Sequence, residues 1–317
     1  MIATPLVSVV IPTYNRAETV RRSIDSVLDQ SYCPIEVIVV DDGSTDATRN
    51  VLQSYGDRIR YIQQENSGPS VARNNGVSMS NGELIAFLDS DDTWKPTKIA
   101  GQVRMILAGG ERVPCCICNA LLINVDGSAI TSFELSDVMS NLEEGFWMNP
   151  VMILATRFII FNQAIMIRRD AFEKVNGFKP EMQLLEDYDL AIRLSMLGPW
   201  AFIAEPLVEK NNDTYGIGVV AMLDPLVHSR AWQRVIEGFL HRTTGEDPKV
   251  GHLVRRALAD AKREVHAVEM LGKSSFAKRL GGKIQLFWMR KRQALRRRMP
   301  GWPRVMAIQS LPAGFVS

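Results

Sequence analysis

The chain of 317 residues has only four cysteines, three of them packed together as Cys115, Cys116 and Cys118. That number and spacing exclude a secreted disulfide framework and indicate a reducing compartment. The CCIC run lacks a second Cys or His pair at zinc-like spacing, so it reads as part of a buried strand running to Ile123. Long apolar runs are missing too. The most apolar stretch, Val151 to Ile167, is interrupted by Arg157, Asn162 and Gln163. It falls short of the ~20 apolar residues that a spanning helix needs. The N-terminal MIATPLVSVVIPTYNR has no basic leader and meets polar residues by Thr13, so no signal peptide is expected.

Two further absences bear on chemistry. No GxGxxG follows the first apolar run, where Ile11 leads into PTYN, which disfavours a nicotinamide or flavin enzyme. A Gly-rich, Lys- or Arg-bearing loop for gripping a triphosphate is also missing there, which weighs against a metal-dependent nucleotidyltransferase. Charge of either sign is not in excess: the net charge is +2, and no nucleic-acid partner is expected. The distribution is uneven, however. From Gly272 to Ser317 there are eleven Lys or Arg and no acidic residue, leaving the preceding 271 residues at −9.

What is present is a chain 46% hydrophobic, enough for a large core in one or two domains. Its first half alternates β-branched runs with helical periodicity. Val7–Ile11, Glu36–Val40, Arg60–Gln63 and Leu84–Leu88 read as strands. Helices are expected through Val20, Ile24, Val27 and Leu28, through Val51 and Leu52, from Pro69, and from Thr93 and Pro96 through Leu107. Asn15 with Glu18 resembles a helix start. Further on, Asn124 to Pro150 gives no pattern. Ala164–Ile167 reads as a strand and Arg169–Val175 as a helix, with another helix after EDYD and two more over Pro225–Arg242 and Lys249–Leu271. Strand–helix alternation predicts an α/β fold, a mostly parallel sheet flanked by helices, with ligands bound beyond the strands' carboxyl ends.

Three acidic clusters stand out: Asp41-Asp42 and Asp89-x-Asp91-Asp92, each directly after a strand, and Glu186-Asp187-x-Asp189 before a helix. Adjacent carboxylates repel, and a cation or a nucleotide hydroxyl relieves that cost. Mg²⁺ or Mn²⁺ is held by one or two carboxylates plus phosphate oxygens, which the cluster after Leu88 can supply. Each cluster also has a plainer reading. Asp41 to Ser44 fits a turn, Asp89 to Asp92 a cap for a Trp94 helix, and Glu186 to Asp189 a solvated helix start.

Taken together, the motifs are more specific. PTYNR (Pro12–Arg16), VVDDGSTD (Val39–Asp46), ARNNG (Ala72–Gly76), GELIAFLDSDD (Gly82–Asp92), RRDAFEKVNGF (Arg168–Phe178) and LEDYDLAIRL (Leu185–Leu194) resemble, in order, the inverting family 2 glycosyltransferases of GT-A fold. The resemblance implies transfer of a sugar from a nucleotide-sugar donor, by default a UDP-sugar, to a hydroxyl of a glycan or lipid-linked acceptor in cell-surface polysaccharide synthesis. By the same resemblance Pro12 and Tyr14 cradle the base and ribose, Asp42 accepts a hydrogen bond from the uracil ring, and Arg73 approaches the nucleotide. Asp89 belongs to the donor-binding cluster, Asp91 serves ribose or metal, Asp92 coordinates Mn²⁺ or Mg²⁺, and Asp187 is the general base. An Arg and a His found downstream in many relatives have no counterpart in VEKNNDTYGIG, Val208 to Gly218. An inactive glycan-binding or scaffolding relative is the alternative from a different class.

The expected organisation is a GT-A domain over 1–210, a helical segment over 211–271 and a basic amphipathic tail over 272–317. Within 273–305, Lys and Arg interleave with Phe287, Trp288 and leucines, the pattern of a membrane-surface element. The expected location is the cytoplasm, with this segment either peripheral on the inner face of an anionic membrane or, in the plainer reading, a solvated C-terminal extension.

Overall fold

The computed structural model describes residues 4–123, 127–136, 138, 142–155, 160–182, 184–211, 225–243, 248–272 and 307–308. The basic segment 273–305 and residues 212–218 of the VEKNNDTYGIG stretch lie outside them.

Three largely apolar runs and the short, half-exposed RYIQ segment form parallel strands: β1 (Val7–Thr13), β2 (Ile35–Asp41), β3 (Arg60–Gln63) and β4 (Leu84–Phe87). Their order across the sheet is β3-β2-β1-β4, and β1 is buried along its whole length because helices cover both faces. Past β4 the sheet is mixed. β9 (Ile165–Arg168) runs antiparallel between β4 and β6 (Cys115–Ile123). β10 (Trp200–Asn211) lies parallel to β6 and antiparallel to β8 (Glu144–Trp147). Three short strands, β5 (Thr93–Trp94), β7 (Ala129–Thr131) and β11 (Ala307–Ile308), add to β10, β6 and β8. The expected α/β architecture is present, and Cys115, Cys116 and Cys118 are buried core residues of β6.

The helices are α1 (Val20–Leu28), α2 (Thr48–Gln53), α3 (Pro69–Ser78), α4 (Lys98–Ala108), α5 (Ser132–Leu135), α6 (Pro150–Ala155), α7 (Arg169–Lys174) and α8 (Glu186–Ser195). α1 buries Val20, Ile24 and Val27, the stripe that the period predicts. α3 packs against β1 and β2 so closely that a Cβ on Gly76 would lie 2.4 Å from Val10 Cγ1. The glycine of ARNNG therefore permits a close helix–sheet approach.

Three local expectations are corrected. Asn15 is not a helix cap: α1 begins at Val20, and Asn15, at φ 52°, accepts a hydrogen bond from the Thr45 amide at 2.8 Å. The loops after β1 and β2 lie side by side, and their exposed amides draw this side chain away from its own helix. Nor does Thr93 open a helix. Thr93 and Trp94 pair with Glu209 and Val208 of β10, and α4 starts only at Lys98. The unpatterned stretch after Asn124 holds β7, α5 and β8, with a capping box in which Thr131 and Glu134 satisfy each other's amides.

The chain divides into two compact units. One comprises residues 1–150, 159–212 and 306–317; the other comprises 151–158 and 213–305. In the second, α9 (Pro225–Arg242) packs against α10 (Pro248–Gly272), burying Trp232, Ile236 and Phe239 together with Val250 and Val254. No helix among the described residues is long and apolar enough to cross a membrane.

Lys98 is fully buried in the first unit, its Nζ 3.7 Å from the Trp94 ring centroid and donating to Gln102 Oε1 at 2.7 Å. Burial pushes its pKa down from 10.5 to about 8, against a weaker pull upward from the Cys118 and Cys116 thiols. The unfolded chain then binds more protons between those two values, so folding stability rises with pH across that window. Lys98→Met removes this dependence. Between about pH 7.5 and about pH 9.5 the wild type should gain about 2 kcal/mol over the variant, read from paired urea melts.

Candidate functional site

The polar ends of β1, β2 and β4 meet at one edge of the sheet, where parallel strands leave their crevice. Pro12 is buried in β1 opposite Val40, and Tyr14 emerges next to it, 46% exposed. The Asp42 amide donates to Thr13 O at 2.8 Å, which locks the two loops in register. Asp41 performs the turn role: its Oδ1 accepts from the Ser44 amide at 2.9 Å and its Oδ2 from Tyr61 at 3.3 Å. Asp42 is different. Its carboxylate accepts from Gln64 Nε2 (2.7 Å) and the amides of Ser67 (2.8 Å) and Gly68 (2.9 Å), so the segment before α3 is bound to it.

Beyond β4 the chain turns sharply, with the Asp92 amide donating to Asp89 O at 3.2 Å. The turn gathers one carboxylate oxygen from each of Asp89, Asp91 and Asp92 within 4.8 Å of one another. Each has a cation. Arg73 Nη2 lies 2.7 Å from Asp89, Arg16 Nη2 3.5 Å from Asp91, and Lys210 Nζ 3.2 Å from Asp92. Burial would push the Asp89 carboxyl up, yet Arg73, Lys210 and Arg16 together hold it below the usual range. Asp91 goes the other way: burial and the Asp89 charge raise it, and Lys210 and Arg16 only partly offset them. Asp92 has no exposed side-chain surface, and its Oδ2 also accepts from the Gln163 amide.

Arg73 is buried in α3 and uses both terminal nitrogens, the second donating to Glu186 Oε1 at 3.0 Å. Its guanidinium also lies 5.4 Å from the Phe178 ring centroid. It thus ties the cluster after β4 to the start of α8. There the three acidic residues of EDYD part ways. Asp189 is bound by Lys179 (2.8 Å) and Arg193 (2.7 Å) and anchors its own helix. Glu186 is taken by Arg73. Asp187 is half-buried, and its carboxyl is pushed up to about 7 by burial first, then by the Glu186 and Asp89 charges, against the Tyr188 amide and Arg73. Leu185, immediately before, has a left-handed backbone (φ 61°), a local strain of the kind that turns a chain tightly at a site.

Pro12, Tyr14 and Asp42 thus share the adjoining loops after β1 and β2, and Arg73 joins the Asp89–Asp92 turn to the residue before Asp187. The sequence reading missed Arg16, Gln163 and Lys210. Lys210 lies within VEKNNDTYGIG, where the resemblance points to an Arg and a His and not to a Lys. The signal for it is tertiary: β5 pairs with β10 two residues before it, which draws the end of β10 toward Asp92.

An all-oxygen cluster of this kind fits a hard divalent cation such as Mg²⁺ or Mn²⁺, and the raised Asp91 carboxyl marks a repulsion that such an ion relieves.

Residues 8–175 match the family described as glycosyl transferase family 2. An uncharacterized glycosyltransferase of Rickettsia felis is 30% identical over 77% of this chain, which spans 39% of that protein's length. The succinoglycan biosynthesis protein ExoO of Rhizobium meliloti is 30% identical over 86% of this chain and 79% of its own. Among solved structures, S. aureus TarS 1-349 in complex with UDP-GlcNAc superposes with a TM-score of 0.63, at 17% identity, over 81% of this chain and 72% of that one. The mannosyltransferase PcManGT from Pyrobaculum calidifontis, in complex with GDP-Man and Mn²⁺, gives 0.55 at 19% identity over 93% and 84%. These likenesses establish the GT-A fold. With the family match running from β1 through α7, the chain belongs to glycosyl transferase family 2.

Proposed function

We propose that this chain is an inverting, metal-dependent glycosyltransferase that moves a sugar from a nucleotide-sugar, in the first instance a UDP-sugar, to an acceptor hydroxyl during polysaccharide synthesis. The observation that carries the reading is the Asp89–Asp91–Asp92 cluster, flanked by the Asp42 loop and coupled through Arg73 to Glu186-Asp187.

In this reading Tyr14 offers an exposed aromatic face to the base, with Pro12 shaping the wall beneath. An ionised carboxylate has about four acceptor positions, and three of those on Asp42 are occupied. The fourth serves a ring N–H of the base. Asp91 and Asp92 would hold Mn²⁺ or Mg²⁺, which when bound neutralises charge on the departing diphosphate. Arg73 acts by position, since both its terminal nitrogens are engaged by Asp89 and Glu186. Asp187 takes the proton of the acceptor hydroxyl as that oxygen bonds to the anomeric carbon. The bond from that carbon to the diphosphate oxygen breaks, and the leaving group departs with the electron pair. A carboxyl raised to about 7 is a stronger base than an ordinary aspartate. The acceptor is a glycan or lipid-linked glycan, consistent with the named role of ExoO in succinoglycan biosynthesis. The basic segment 273–305 would hold the protein on an anionic leaflet where such acceptors are assembled.

Four measurements test this reading. In a thermal-shift panel, a UDP-sugar should stabilise the protein in the presence of Mn²⁺ or Mg²⁺ and do so far less with EDTA. No response to UDP-, GDP- or dTDP-sugars would favour a non-enzymatic glycan-binding role instead. Asp187→Asn should lower turnover by about 10²–10⁴-fold while leaving donor affinity nearly unchanged. In the wild type kcat/KM should climb with pH through about 7, because Asp187 must lose its proton to act. Lost donor affinity with retained turnover would reject the role. Finally, full-length protein should co-sediment with vesicles containing anionic lipid, and replacing Arg290, Lys291 and Arg292 by Glu should weaken that binding. Equal binding by both proteins would remove the membrane role from the segment.

A further inference from the structure

The acidic cluster is matched cation for cation by the protein itself: Arg73 on Asp89, Arg16 on Asp91, Lys210 on Asp92. A divalent ion approaching such a cluster meets a resident cation at each carboxylate, which offsets part of what it gains by relieving the repulsion among them. The three cations are not equally held. Arg73 is 5% exposed and is shared with Glu186, so it is fixed at both terminal nitrogens. Lys210 touches the least accessible ligand of the three. Among the described residues, Asp92 Oδ2 accepts from the Gln163 amide, which is 1% exposed, and from the Lys210 ammonium, whose side chain is 23% exposed. Of these two, Lys210 can leave toward solvent. It is a compact charge on a flexible stem, with its Nζ 5.4 Å from the Phe161 ring centroid. An ammonium and a metal ion competing for one carboxylate oxygen repel each other, so occupancy by one opposes occupancy by the other.

We propose that Lys210 is a tethered counter-ion that makes metal binding depend on the donor. Its ammonium holds Asp92 in the free protein. When a divalent ion takes the carboxylates, the ammonium passes to the diphosphate of the nucleotide, and metal and nucleotide bind cooperatively. This rests on the glycosyltransferase reading of the cluster and adds a positioning role for a residue outside the motifs that carry it. Binding of that form is reciprocal: nucleoside diphosphate tightens metal binding by the same factor as metal tightens nucleotide binding.

The test is a Mn²⁺ titration of the full chain followed by electron paramagnetic resonance of the free ion, with and without UDP or GDP. Without nucleotide, Lys210→Met should bind Mn²⁺ about 5–150-fold more tightly than wild type, the usual range of such couplings. Lys210→Arg, which keeps the charge, should stay close to wild type. Adding UDP or GDP should tighten Mn²⁺ binding in the wild type and do so much less in Lys210→Met. Lys210→Gln, polar but uncharged, gives the same reading should the Met variant not fold. Equal or weaker nucleotide-free Mn²⁺ binding by the folded uncharged variant would overturn the role of Lys210, even where nucleotide tightens the wild type. A wild type whose Mn²⁺ binding ignores both nucleotides would instead overturn the donor reading and the coupling with it. The nucleotide-free comparison would then still decide whether Lys210 holds the carboxylates.

Discussion

The Arg73 guanidinium lies buried between Asp89, at the end of β4, and Glu186, at the start of α8, two carboxylates nearly a hundred residues apart in the chain. Removing ions from water is costly, and a buried pair repays that cost only with good geometry on every partner. Arg73 meets that demand with one terminal nitrogen for each carboxylate and an aromatic ring beneath. Without it, two half-buried carboxylates would lose their shared counter-ion, and the acidic turn and the helix carrying Asp187 would lose their mutual reference. The site's spacing depends on this contact more than on any one strand.

The same electrostatic constraint explains why neighbouring carboxylates behave differently. Asp89 is held low by its cations, Asp91 is pushed up by burial and by Asp89, and Asp187 is pushed up by burial and by Glu186. Asp41 and Asp189, one residue and two residues from site carboxylates, are occupied in local structure. A pair such as Asp41-Asp42 thus divides its labour. One member closes a turn and the other holds the segment leading into α3.

Much of this was legible in the sequence where the signal is local. β1, β2 and β4 announce themselves as continuous apolar runs, because these strands are buried with little alternation between their faces. Pro69 and the ARNNG glycine mark α3, the glycine because a side chain there would strike Val10. The Thr131–Glu134 capping box was also readable in the stretch that appeared unpatterned, since its spacing is fixed by one helical turn. Asn15 and Thr93 misled for a common reason. Each has the chemistry of a helix cap, and each is claimed by a partner distant in sequence: Thr45 for Asn15, the β10 backbone for Thr93.

The sequence by itself determined the strand–helix alternation, the polar clusters at strand ends and the family to which their order belongs, because all of these follow from residue type at short spacing. Which carboxylate is satisfied by which cation was decided only by the tertiary structure. Arg73 reaches Glu186, and Lys210 reaches Asp92, through sheet pairings and helix packing that link positions 113 and 118 residues apart. Electrostatic balance is a property of distance in space, and the chain's order does not encode it.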